Sequence, residues 1–106
     1  MTGFGRLTDV VPEGGESFHA LATLAGARVE HIVSSDSADD GVQLQSWDEW
    51  VLVLAGAAEL EIDGRLVELT ARDWLLIPAG TPHRVLRTGR GTQWLAVHGA
   101  SEGSES

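Results

Sequence analysis

The chain of 106 residues contains no cysteine, no tyrosine and no lysine: all seven of its basic residues are arginine. Without cysteine there is no disulfide, no thiolate nucleophile and no cysteine-ligated metal. Without lysine, Schiff-base chemistry and a Walker-type phosphate loop are excluded. Without tyrosine there is no phenolic acid. Positive charge is scarce: 16 acidic residues leave a net charge of −9. Such a chain repels phosphate backbones and anionic membranes, so neither a nucleic acid nor a membrane is expected as partner. No apolar run reaches membrane-spanning length, and the N-terminus lacks a charged-then-apolar signal pattern. The expectation is a soluble cytoplasmic protein.

What is present points to one all-β domain. A hydrophobic fraction of 42% with 13 glycines suits a single β-rich core better than a helical bundle. Along the chain, Leu7 to Val11 reads as a short edge segment and Gly14 to Ser17 as a loop. His19 to Ala27 is ambiguous: its alanines favour a helical turn, and Gly26 limits it. Arg28 to Ser34 alternates as a strand, with Val29, His31 and Val33 on one face and Glu30 and Ile32 on the other. The acidic stretch Ser34 to Gly41 reads as a solvated loop. Its run Asp36 to Asp40 lacks the spacing of a calcium loop. Val42 to Trp47 reads as a strand with Gln43 and Gln45 on one face. Val51 to Leu54 reads as a strand buried on both sides, with Glu49 at its mouth.

The second half repeats the pattern. Ala57 to Ile62 ends at Asp63-Gly64, a two-residue hairpin signal, and Arg65 to Leu69 returns. Trp74 to Ile77 reads as a buried strand and Pro78 to Pro82 as a loop. His83 to Arg87 is a strand with His83, Val85 and Arg87 sharing a face. Gln93 to His98 closes the series with Trp94, Ala96 and His98 together. Short strands with frequent turn signals mean a sandwich or barrel. The boundaries expected are an N-terminal edge segment and loop over 1–27, a barrel over 28–99, and a disordered tail over 100–106.

The residues Arg72-Asp73-Trp74-Leu75-Leu76-Ile77-Pro78-Ala79-Gly80-Thr81-Pro82-His83 resemble the second motif of the cupin superfamily, in particular its small single-domain members. That motif runs Gly-Asp, three apolar residues, Pro-x-Gly, two residues and His; here Arg72 replaces the leading glycine. Counting back from Gly56 sets Glu49 on the glutamate of the first motif and puts Gln43 and Gln45 where the family carries a His-x-His pair. The asparagine that often closes the second motif is Arg87 here. The resemblance covers about residues 28–98 and implies an all-β, cupin-type jelly-roll barrel of two antiparallel sheets. It also implies a homodimer, since cupins commonly pair through sheet edges and a closed assembly protects those edges.

Function is expected inside the barrel, on a small-molecule ligand. Glu49 and His83 are the candidate catalytic residues, either as a general acid–base pair or as a pair that merely hydrogen-bonds across the cavity mouth. As a metal site, Glu49 and His83 with Gln45 and Gln43 could hold a divalent ion such as Fe, Mn, Ni or Zn. The set binds loosely because glutamine is the weaker ligand. His98 and His31 could complete such a site or simply pack. Arg87 could present its guanidinium fork to an anionic substrate or form a surface ion pair. Trp47 and His98 are candidate pocket residues, whereas the remaining tryptophans fill the core or a dimer face. The reaction would be an oxidation, isomerisation or lyase step. A non-catalytic ligand-sensing or accessory barrel is the alternative that loss of the His pair favours.

Overall fold

Strand-forming sequences and tight turns dictate the architecture. The structure, a computed structural model, describes residues 2–100; Met1 and, apart from Ala100, the expected tail over 100–106 lie outside the described residues. Eight strands follow one another: β1 (Glu16–Leu24), β2 (Ala27–Ser34), β3 (Glu49–Ala55), β4 (Ala57–Ile62), β5 (Arg65–Thr70), β6 (Trp74–Ile77), β7 (His83–Thr88) and β8 (Thr92–His98). All pairings are antiparallel, and they make a five-stranded sheet in the order β1-β2-β8-β3-β6 and a three-stranded sheet in the order β5-β4-β7. The all-β, two-sheet jelly roll expected from the sequence is the fold observed.

Local chemistry explains most of the boundaries. Asp63 and Gly64 both have positive φ (51° and 83°) and join β4 to β5 as the hairpin signal requires. Ala25 and Gly26 do the same between β1 and β2, with φ of 51° and 87°. The alanine-rich stretch around His19 is therefore an edge strand and not a helical turn. Pairing with β2 over its whole length overrides the helical propensity of alanine. Glu16 and Ser17, expected in a loop, open this strand, while Leu7 to Val11 forms no strand. Val42 to Trp47 is likewise not a strand: it makes a single bridge, Gln43 to His83.

The core lies between the sheets. Ile32, Val51, Val53, Trp94 and Ala96 from the larger sheet meet Ala58, Leu60 and Leu69 from the smaller one, and all are buried. Each large side chain so buried contributes roughly 1.5–3 kcal/mol. Burial on β3 is one-sided, contrary to expectation: Val51 and Val53 point inward, while Leu54 is exposed and Leu52 half-buried. β6 is similar, with Ile77 buried and Trp74 and Leu76 facing outward.

Candidate functional site

A cavity of about 180 Å³ opens between the two sheets. Its floor is apolar, formed by Ile32, Val51, Leu60, Ile77, Val85 and Trp94. Its polar wall comes from inward positions at strand ends and from the loop before β3. Glu49 opens β3 in phase with Val51 and Val53, so parity turns its carboxylate inward. His83 follows the Pro78 to Pro82 turn as the first residue of β7, bridged to Gln43 by reciprocal backbone bonds (Gln43 N to His83 O, 2.7 Å; His83 N to Gln43 O, 3.0 Å).

Glu49 and His83 are brought together. His83 Nδ1 lies 2.9 Å from the carbonyl oxygen of Thr81. A carbonyl only accepts, so Nδ1 carries the proton and donates. Nε2 then faces Glu49 Oε1 across 3.8 Å. That gap exceeds a hydrogen bond, so neither group consumes the other. Both residues are more than nine-tenths buried, and no hydrogen bond reaches Nε2 or the Glu49 carboxylate among the described residues.

His98 is fixed differently. The indole Nε1 of Trp47 donates to His98 Nδ1 at 3.1 Å, and His98 Nε2 lies 2.9 Å from Glu30 Oε1. Because an indole nitrogen can only donate, Nδ1 must be the unprotonated nitrogen, and Nε2–H donates to Glu30. His98 is thereby held as a neutral tautomer with both nitrogens engaged. Trp47 is itself packed edge-on against His98 and covered by the Arg28 guanidinium 5.8 Å from its ring.

Other expected residues fall elsewhere. Arg87 does not share the face of His83. The pairing of β4 with β7 slips between Glu59 and Leu60, so Leu86 is the extra residue of a bulge and parity inverts beyond it. Arg87 therefore points outward, 77% exposed, with its guanidinium 2.6 Å from Glu59 Oε1. His31 lies on the far face of its sheet, stacked near His19 (5.8 Å) and with Nε2 2.8 Å from Gln93 Oε1. Gln43 and Gln45 both line the cavity, but the Gln43 amide donates to its own loop at Asp40 O (3.3 Å). The Gln45 Oε1 is buried and has no partner among the described residues.

Three carboxylates of the wall went unassigned from sequence: Glu16, Glu30 and Asp40. For Glu30 the signal was available, since it alternates in phase with the inward Ile32. Glu16 accepts a hydrogen bond from Ser34 Oγ. Burial pushes the Glu16 carboxyl up from its ordinary value; the Ser34 bond opposes this, and the nearby charges of Asp40 and Glu49 add to it. The loop expected to be merely solvated thus reaches the cavity mouth through Asp40, with Ala38 buried beneath it.

Metal-binding capacity follows from the donor set. Among the described residues no three His, Cys, Asp or Glu side chains converge as a metal group. Glu49 and the free Nε2 of His83 are two donors, and His98 cannot join without giving up Trp47 or Glu30. The residues do not fit a four-ligand centre.

A two-sheet antiparallel jelly roll with a small cavity between its sheets defines the class. The Cupin domain family model matches residues 27–98, and the chain belongs to that family. It is 34% identical to a candidate mannose-6-phosphate isomerase from Ralstonia eutropha, over 94% of this chain and 100% of that one, with a TM-score of 0.80. The fold is shared with KdgF from Halomonas sp. (16% identity, 84% and 83% of the two chains, TM-score 0.73). It is shared also with salicylate 1,2-dioxygenase from Pseudoaminobacter salicylatoxidans (12% identity, 79% and 26%, TM-score 0.72). No curated protein matches the sequence.

Proposed function

We propose that the chain binds a small organic molecule in the barrel cavity and turns it over by proton transfer, with His83 as the base and Glu49 as its counter-charge. The carrying observation is the free Nε2 of His83, set 3.8 Å from an unpartnered buried carboxylate. Nε2 takes a proton from the ligand, Glu49 stabilises the imidazolium that forms, and the same nitrogen returns the proton to a neighbouring atom. General base catalysis of this kind supplies about 10²–10⁴-fold. An isomerisation matches that chemistry, and the candidate isomerase among the similar structures supports it. His98 lines the pocket end; Trp47, expected in the pocket, is not among its lining residues and acts only by fixing, with Glu30, the tautomer of His98.

Incubation of ligand panels with the protein in D2O, followed by proton NMR, tests this directly. Ligands that bind should exchange an acidic C–H for deuterium, and His83→Gln and Glu49→Gln should each slow exchange at least about a hundredfold. Unchanged exchange in either variant overturns the assignment.

The orphaned Gln45 Oε1 favours a second reading: Glu49, His83 and Gln45 hold a divalent ion loosely, water completing its shell. A thermal upshift with Mn, Fe, Ni or Zn that Gln45→Ala abolishes would select it. We also propose that two copies pair through the outer face of β3 and β6, where Trp50 and Trp74 lie 6.3 Å apart.

A further inference from the structure

We infer that the ligand of this cavity is a small organic cation, of the ammonium or amidinium class, and not a phosphorylated or carboxylated compound. This rests on the reading that the cavity receives a small molecule and adds the charge of that molecule. Four carboxylates line the wall, Glu16, Glu30, Asp40 and Glu49, and neither arginine nor any lysine stands among the lining residues. Three arginines of β2 and β7 are committed elsewhere. Arg28 occupies the next inward position of β2 but is stacked on Trp47. Arg84 forms a two-pronged pair with Asp39, and Arg87 pairs with Glu59 outside the barrel.

An anion entering here would meet like charge on several sides, with no helix N-terminus among the described residues to receive it. His98 cannot compensate, because the Trp47 donor holds it neutral. A cation meets the opposite situation. The Glu49 carboxylate is buried, faces the cavity and accepts no hydrogen bond among the described residues, so a charged donor would supply its missing partner. The Trp94 ring forms part of the floor, and aromatic faces attract cations. Burial chiefly, and the charges of Asp40 and Glu49 in smaller part, hold the Glu16 carboxyl above its ordinary value, and a cation would offset that smaller part. The volume, about 180 Å³, is below the roughly 300–1,000 Å³ of drug-sized sites and suits a compact ligand.

Isothermal titration in EDTA with matched probes tests the inference: benzylamine, benzyl alcohol and benzoate, and the isobutyl amine, alcohol and carboxylate. The amine of at least one skeleton should bind about tenfold or more tightly than its alcohol, with the carboxylate weakest. Asp40→Asn and Glu16→Gln should each narrow the amine-to-alcohol ratio several-fold, and so should added salt. An alcohol or carboxylate that binds as tightly as its amine overturns the charge assignment while leaving small-molecule binding intact. If no probe binds at millimolar concentration, both the charge assignment and the binding reading fall.

Discussion

At the scale of single residues, the cavity is governed by which hydrogen-bond positions are already taken. His83 and His98 both line it, yet only His83 has a free nitrogen, because Thr81 takes one side of that ring and Trp47 and Glu30 take both sides of His98. The sequence sets His83 apart through the turn that precedes it, and its partner Thr81 belongs to that turn. The fixing of His98 depends instead on Trp47 and Glu30, which are remote in the chain and which no local pattern encodes. Glu16 carries a testable cost. Its folded-state value is raised above the ordinary 4.5, chiefly by burial. Between 4.5 and that higher value the folded state holds more protons than the unfolded one, so stability falls as pH rises through this window. Above the window the penalty is complete. Glu16→Gln keeps an acceptor for Ser34 and removes the charge. It should raise Tm by a few degrees at neutral pH, with the gain disappearing below pH 4.5; scanning calorimetry across pH would detect a constant offset, which contradicts the argument.

At the scale of elements, one turn retains strain that a glycine would relieve. Arg72, between β5 and β6, has φ of 82°, a region that side chains with a Cβ disfavour. The turn is pinned by Arg72 N to Val53 O (2.7 Å) and Asp73 N to Thr70 O (2.9 Å), and the Asp73 carboxylate accepts from Thr70 N. The Arg72 side chain is exposed. The cupin resemblance set a glycine at this position, and the backbone explains why. Relief of about 1–2 kcal/mol of strain, less roughly 0.4–1 kcal/mol of added freedom in the unfolded chain, gives Arg72→Gly a net gain of about 0.5–1 kcal/mol. Urea denaturation measures it, and a loss of stability would contradict the strain. Elements with strong local codes were legible in advance: the Asp63-Gly64 hairpin, the alternation of Gln93 to His98, and the Pro78 to His83 turn that aims His83 inward. Those that failed depended on distant pairing. The alanine-rich β1 became a strand only because β2 offers it a ladder, and the parity of Arg87 was undone by a bulge at Leu86 set by the register of β4.

At the scale of the whole molecule, the outer face of the larger sheet carries a continuous apolar patch across β6, β3 and β8. Trp50 lies opposite Leu76, and Leu52 opposite Trp74, across the β3–β6 pair, while Val97 and Leu95 of β8 flank Trp50 and Leu52 on the other side. Six neighbouring outward positions thus carry no charge in a chain of net −9. Trp74 and Leu76 are 62% and 52% exposed, a large uncovered apolar area for a small domain. A second copy placed on this face would bury both tryptophans and screen the β6 edge. Light scattering coupled to size exclusion should therefore report a dimer, and Trp74→Glu should convert it to a monomer with unchanged far-UV circular dichroism. Because two copies of the same acidic molecule repel one another, added salt should tighten the dimer while weakening cation binding in the cavity. Opposite salt responses of the two equilibria would separate the apolar face from the charged pocket, and a wild-type chain that stays monomeric at every concentration removes the paired assembly.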